Sequence, residues 1–129
     1  MSDNFIFVND VGPRDGLQNQ AVQVEPETRI TLIQKLIDAG VPGVEVASFV
    51  SPKAVPRMAG AGEIMTALKD SPAALSALVP NLKGYEMARD AGTKIISVVP
   101  SATETMNRKN INMGCEEIRP LSADWLKAA

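Results

Sequence analysis

Four short runs of apolar and β-branched residues alternate with helical segments along this 129-residue chain, and no other feature restricts its fold as much. The runs predict strands, because they are five to seven residues long and rich in Val, Ile and Phe. They lie at 5–10, 43–48, 75–80 and 94–100. Strands that alternate with helices favour a parallel sheet with right-handed crossover connections. The predicted fold class is therefore α/β, with about four βα units in a single domain over residues 1–129.

The segment 25–40, EPETRITLIQKLIDAG, has the ends and the face of an amphipathic helix. Pro26 suits the first turn, Glu27 complements the N-terminal end of the helix dipole, and Gly40 suits the C-terminal cap. Apolar side chains recur at helical spacing along one face, at Ile30, Ile33, Leu36 and Ile37.

Three further segments predict helices. A short helix is expected at 61–70, and another at 82–92, where Asn81 is a candidate N-cap. The segment 113–128 has helical composition, although Pro120 disfavours a helix through its middle.

Four βα units amount to half of a (β/α)8 TIM barrel, a fold that typically needs ~250 residues. The alternative is a small, open, doubly wound sheet, which commonly carries a glycine-rich phosphate loop after its first strand. The corresponding loop here, NDVGPRDGLQNQ at 9–20, has neither G-x-G-x-x-G nor G-x-x-x-x-G-K-[ST]. A nucleotide-binding function is therefore weakly supported.

Composition excludes several other classes. The net charge is −2, and no basic stripe with interleaved aromatic residues indicates nucleic-acid binding. Cys115 is the one cysteine, so no internal disulfide can form. Without a signal-peptide pattern or an apolar run of ~18 residues, we expect a cytoplasmic protein without membrane contact. The chain has no histidine, which removes the commonest general base.

Ligand-binding residues of parallel α/β folds cluster where the strands end. Arg14 and Asp15 follow the first strand, and a solvated turn explains this pair as well as a site does. Glu45 interrupts an apolar strand, which fits a structural ion pair or, with slightly more weight, a site residue. The polar segment 100–112 after the fourth strand is best interpreted, from its residues alone, as an ordinary surface loop.

Four motifs together resemble the N-terminal half of the hydroxymethylglutaryl-CoA lyase family, whose members are metal-dependent, aldolase-type TIM-barrel lyases. They occur in the family's order over about residues 5–112: NDVGPRDGLQNQ, GVEVASFVSPKAVPRMA, VPNLKGYEMARDAG and SATETMNRKNIN. The resemblance implies half of a TIM barrel and cleavage of 3-hydroxy-3-methylglutaryl-CoA to acetyl-CoA and acetoacetate. An acyl-CoA substrate and a place in leucine catabolism are implied with it.

The resemblance also implies roles for individual residues. Asp15 would bind a divalent cation, Mg²⁺ or Mn²⁺, and Arg14 would contact the substrate and stabilise the enolate-like oxygen. Glu45 would act beside Arg14 as a catalytic residue, while Gln18 and Ser48 would bind the substrate.

The family's other metal ligands, a His-x-His pair and an asparagine, and its reactive cysteine belong to the second half of the barrel. We therefore expect a truncated lyase with little activity and a weak or absent metal site. The alternatives are one half of a split lyase, completed by a partner that supplies the second half, and a non-catalytic half-barrel binding module. Open strand edges also predict self-association.

The half-barrel hypothesis makes a geometric prediction. Neighbouring strands lie about 4.8 Å apart, so a side chain on the inward face of the second strand can reach the loop after the first. We expect Glu45 to be buried and close to Arg14, with Asp15 lining the same concavity. In the competing arrangement, Arg14 points into solvent and Glu45 packs against the helices.

Overall fold

A parallel four-stranded sheet forms the centre of the structure, a computed structural model that describes residues 5–128. The strands are β1 (Asn9–Asp10), β2 (Gly43–Ser48), β3 (Ala74–Leu78) and β4 (Ile95–Ser97). The α-helices are α1 (Pro26–Asp38), α2 (Ala61–Leu68), α3 (Leu82–Asp90), α4 (Glu104–Ile111) and α5 (Cys115–Ala128). A π-helical turn, Gly12–Gly16, follows β1, and a short 3₁₀ turn, Pro56–Met58, precedes α2.

The strand order is β1-β2-β3-β4, and every neighbouring pair is parallel. Strands that are consecutive in the chain are therefore adjacent in the sheet. A doubly wound sheet instead reverses its strand order at a switch point. The order confirms the predicted βα repeat and favours the barrel over the doubly wound alternative.

The first strand is much shorter than predicted. Asn9 pairs with Gly43 and Asp10 pairs with Val44, whereas residues 5–8 lie outside the sheet. In this register Val8 would lie opposite Pro42, whose carbonyl accepts a hydrogen bond from the Ala74 amide at the start of β3, and the pairing of β1 with β2 begins only at Asn9 and Gly43. The prediction of a strand over 5–10 was wrong for its first four residues. The third and fourth strands likewise end earlier than predicted.

The segment 100–112, interpreted as a surface loop, contains the helix α4. An ion pair between Glu104 and Arg108 stabilises successive turns, and Asn112 ends the helix in the left-handed conformation, with φ 55°. Helix α5 continues through Pro120, which forfeits one intrahelical hydrogen bond. No helix within residues 5–128 is long and apolar enough to cross a membrane.

The hydrophobic core lies between the sheet and helices α1–α3. Ile33 is fully buried there, and the other predicted apolar residues of α1 pack against the same cluster. Asn81 caps α3 as predicted, since its Oδ1 accepts a hydrogen bond of 2.9 Å from the Gly84 amide. The strand residues that face the helices are Val44, Val46, Ala47, Leu75, Ala77 and Val79.

Apolar residues are exposed at both ends of the strand order. Phe5 and Ile6, which precede β1, are 79% and 80% exposed. Ile95 in β4 and Val99 just after it are 46% and 69% exposed. Open edges flanked by apolar side chains promote association between chains.

We expect the purified chain to self-associate at about 50 µM, a concentration at which exposed edges commonly associate. Analytical ultracentrifugation measures this directly. A Phe5→Ser/Ile6→Ser variant should shift the distribution toward monomer, whereas Met87→Ser, which removes an exposed apolar side chain from α3, should not. A wild-type chain that sediments as a compact monomer would contradict the prediction.

Candidate active site

A salt bridge between Arg14 and Glu45 forms the centre of the candidate site. The Arg14 Nε donates to the Glu45 Oε1 at 2.5 Å, and its Nη1 donates to the Asp15 Oδ1 at 2.9 Å. Glu45 is 4% exposed, whereas the Asp15 side chain is 56% exposed. The expected burial of Glu45 and its contact with Arg14 are therefore confirmed. One guanidinium joins a buried carboxylate to a carboxylate that faces solvent.

The π-helical turn presents Arg14 and Asp15 side by side. The backbone amides of Arg14, Asp15 and Gly16 all point to the carbonyl of Val11, with N–O distances of 3.2, 2.7 and 3.5 Å. The Gly12 amide donates to the Asp10 Oδ1 at 2.9 Å, which fixes the start of the turn. The predicted irregular loop is thus a helical turn, a local geometry often found at functional sites.

A β-bulge in β2 decides which residues share a face with Glu45. Glu45 pairs with Ser76, but Ala47 pairs with Ala77, so Val46 is the extra residue. Val46 and Ala47 consequently both pack in the helix-facing core. Strict alternation would place Glu45 and Ser48 on opposite faces, whereas the bulge places them on the same face.

A cavity of about 420 Å³ opens beside the salt bridge. Arg14, Asp15 and Gln18 line it, which confirms the expectation that Asp15 shares a concavity with Arg14. Glu45 lies behind Arg14 rather than on the wall, and Ser48 is buried with its hydroxyl lacking a hydrogen-bond partner. The remaining lining residues come mainly from the ends of β3 and β4 and from α4: Val50, Val55, Leu78, Val79, Pro80, Val98, Val99, Pro100, Asn110 and Ile111.

Comparisons with known proteins agree with this geometry. The family model described as HMGL-like matches residues 5–129. The chain belongs to the HMGL-like family.

Individual relatives show what share of a family member's length this chain covers. It is 45% identical to the mitochondrial hydroxymethylglutaryl-CoA lyase of Arabidopsis thaliana, over 88% of this chain and 24% of that protein. It is 43% identical to the 3-hydroxy-3-isohexenylglutaryl-CoA/hydroxymethylglutaryl-CoA lyase of Pseudomonas aeruginosa, over 93% and 40% of the two chains. The crystal structure of hydroxymethylglutaryl-CoA lyase from P. aeruginosa matches with a TM-score of 0.85 at 41% identity, with 93% and 40% covered. The chain thus spans less than half of these relatives.

The residues described here do not by themselves fit the divalent cation that the HMGL-like family implies. Between residues 5 and 128, no three Asp, Glu, Cys or His side chains are grouped so that they could hold a metal. Asp15 offers a carboxylate to the cavity, but Glu45 is engaged by Arg14. Mg²⁺ requires six ligands in near-octahedral geometry, which one carboxylate cannot supply.

Arg29 was not recognised by the sequence analysis, which treated it only as part of a helix. It is completely buried, and it donates to the carbonyl oxygens of Ala59 at 3.0 Å, Val46 at 3.4 Å and Arg57 at 3.5 Å. Burial lowers the pKa of its guanidinium. The available signal was its position four residues before Ile33, on the apolar face of α1.

Asn107 is a second buried polar residue that was missed, because its segment was interpreted as a loop. Its Oδ1 accepts from the Ser101 amide at 2.5 Å, and its Nδ2 donates to the Cys115 Sγ at 3.2 Å. These bonds hold the chain that leaves β4 and forms one wall of the cavity. Cys115 itself does not line that cavity.

We expect Glu45→Gln to lower the free energy of unfolding by about 2 kcal/mol, because Arg14 loses a charged hydrogen-bond partner in a nearly dry position. Asp15→Asn is the matched control, and its effect should stay below about 1 kcal/mol because that ion pair is solvent-exposed. Urea denaturation measures both values. Equal effects of the two substitutions would contradict the assigned burial.

Mn²⁺ should bind the chain only weakly, with a Kd of about 10⁻³ M or higher, since one carboxylate faces the cavity. Electron paramagnetic resonance of free Mn²⁺ measures the bound fraction. Asp15→Asn should remove the specific component, whereas Asp70→Asn, outside the cavity, should not. Micromolar binding would mean that further ligands complete the site.

Proposed function

We propose that Arg14, Asp15 and Glu45 form the N-terminal part of the active site of a hydroxymethylglutaryl-CoA lyase. The salt bridge at 2.5 Å between Arg14 and the buried Glu45, with Asp15 beside it on the cavity wall, carries the proposal. The two relatives are both CoA lyases, which supports an acyl-CoA as substrate. A role in leucine catabolism is proposed together with this activity.

The reaction breaks a carbon–carbon bond next to a tertiary alcohol. The hydroxyl loses its proton and becomes the ketone of acetoacetate, while the bonding electrons move onto the acetyl-CoA fragment as an enolate. Protonation of the enolate carbon then yields acetyl-CoA. Negative charge thus develops on oxygen, and a fixed cation beside that oxygen lowers the barrier.

Arg14, which lines the cavity, is proposed as the cation beside that oxygen. Glu45 holds the Nε side of its guanidinium from behind, so that Arg14 cannot turn away when the substrate is absent. A guanidinium fixed in advance needs no reorganisation as charge develops. Gln18 lines the same cavity and is proposed to bind the substrate, as is Ser48 through its unpartnered hydroxyl.

Asp15 is proposed as this chain's contribution to a divalent-metal site. The cation would supply Lewis-acid polarisation of substrate oxygens when bound. We propose that further ligands come from outside residues 5–128, since no group of three Asp, Glu, Cys or His side chains that could hold a metal occurs there. The same observation favours a non-catalytic half-barrel module as the second candidate function for the chain when it acts alone.

Two cleavage assays with added Mg²⁺ or Mn²⁺ test the proposal. The chain alone should release no acetoacetate from 3-hydroxy-3-methylglutaryl-CoA above background. Co-expression with the part of the P. aeruginosa relative that this chain does not match should give metal-dependent cleavage. Arg14→Gln should then lower kcat by about 10²–10³, the usual loss for one oxyanion-stabilising donor.

Arg89→Gln is the matched control, because Arg89 is an exposed arginine outside the cavity. It should leave cleavage unchanged, whereas Asp15→Asn should abolish the metal-dependent cleavage. Cleavage that survives both Arg14→Gln and Asp15→Asn would overturn the proposal. Binding of acyl-CoA without cleavage by an assembled pair would favour the binding module.

A further inference from the structure

The buried guanidinium of Arg29 contacts the strand that carries Glu45 at the one place where that strand is irregular. We infer that Arg29 is a positioning residue, which holds the bulge of β2 and thereby keeps Glu45 turned toward Arg14. Three observations support this inference: the hydrogen-bond acceptors of Arg29, the register of β2, and the hydrogen bond between Arg57 and Gln18.

The acceptors of Arg29 are backbone carbonyls from two different segments and the Met58 Sδ, which accepts from the Nη2 at 3.8 Å. Its Nη1 donates to Ala59 at 3.0 Å and to Arg57 at 3.5 Å, both in the connection that follows β2. Its Nη2 donates to Val46 inside β2 at 3.4 Å. A planar guanidinium has its donors in a fixed fork, so it sets the spacing of the carbonyls that it binds. Arg29 therefore ties the bulge to the connection.

Val46 is the residue that the strand pairing skips. Glu45 and Ala47 pair with consecutive residues of β3, which leaves Val46 without a partner in that register. A bulge disrupts the local ladder, and a buried carbonyl without a donor is costly. Arg29 donates to this carbonyl. Without Arg29, the regular register would become more stable relative to the bulged one. The regular register would turn Glu45 or Ser48 to the other face of the sheet.

Stability alone does not explain an arginine at this position. None of the ion pairs in the described part of the chain involves Arg29, and its Nε has no hydrogen-bond partner. Burying a charge without a counter-charge is unfavourable, and an apolar side chain would suit the same face of α1. The guanidinium is consistent with a geometric role because only its donors can satisfy carbonyls from both segments.

Arg57 extends the same set of contacts to Gln18, two residues beyond the π-helical turn. While its carbonyl accepts from Arg29, its Nη1 donates to the Gln18 carbonyl at 3.4 Å. Gln18 lies three residues beyond Asp15 and lines the cavity. Arg29 thus helps to position both partners of the central salt bridge, Glu45 through β2 and Arg14 through the connection.

This inference rests on the proposed function for its catalytic consequence, but its test does not require cleavage. The readout is the Arg14 Nε–H, which donates to Glu45 and gives a distinct ¹⁵N–¹H resonance. Its assignment follows from its loss in Arg14→Lys. The rate at which this proton exchanges with solvent reports how often the Arg14–Glu45 hydrogen bond opens. The exchange rate can be measured, and the inference tested, even if the cleavage assays show no activity.

Arg29→Met, which fills the same space without donors, should speed the exchange of the Arg14 Nε–H by about tenfold or more, as expected for loss of a positioned charged hydrogen bond. Arg29→Lys retains donors but not the fork, so its exchange rate should lie between those of the wild type and Arg29→Met. It also serves as the decisive variant if Arg29→Met does not fold.

Ile33→Ala is the matched control, because Ile33 is fully buried one turn further along α1 and its side chain has no hydrogen-bonding group. It should destabilise the protein while leaving the Arg14 Nε–H exchange close to that of the wild type. An exchange rate in a folded Arg29 variant equal to that of the wild type would overturn the inference. An acceleration in Ile33→Ala as large as that in the Arg29 variants would overturn it as well.

Discussion

Glu45 is a carboxylate inside a parallel strand, and such a group can be buried only with a cationic partner. Arg14 provides that partner from the turn after the neighbouring strand, at 2.5 Å. This salt bridge constrains the rest of the site. The turn must point Arg14 inward, and β2 must turn Glu45 away from the helices. The same guanidinium then holds Asp15 at the cavity.

The bulge at Val46 reconciles two conflicting demands on β2. The helix-facing core needs apolar residues, and Val46 and Ala47 both meet that need. The opposite face needs Glu45 and Ser48 together, which a regular strand with a period of two cannot provide. One inserted residue, Val46, allows both arrangements. Arg29 donates a hydrogen bond to the Val46 carbonyl, where the ladder is interrupted.

The candidate site lies on a sheet with one face covered by helices, in a chain that belongs to the HMGL-like family. Helices α1–α3 bury one side of the sheet, whereas apolar residues near its two edges remain exposed. The matched relatives are more than twice as long as the aligned part of this chain. The chain places one cation, Arg14, and one solvent-facing carboxylate, Asp15, at the cavity, and the two form an ion pair.

Local sequence patterns determined the βα repeat, the bounds of β2 and the Asn81 cap, because periodicity and capping act over a few residues. The proximity of Arg14 to Glu45 was predicted from the half-barrel hypothesis, which places the turn after β1 beside β2. The resemblance of the motifs determined the family. Tertiary structure alone decided the shortness of β1, the bulge at Val46 and the burial of Arg29 and Asn107. The bulge and the burial of Arg29 depend on neighbours distant in sequence: β3 sets the register of β2, and carbonyls from β2 and its connection accept from Arg29. Local propensity carries no information about such partners, since they become adjacent only when the sheet has formed.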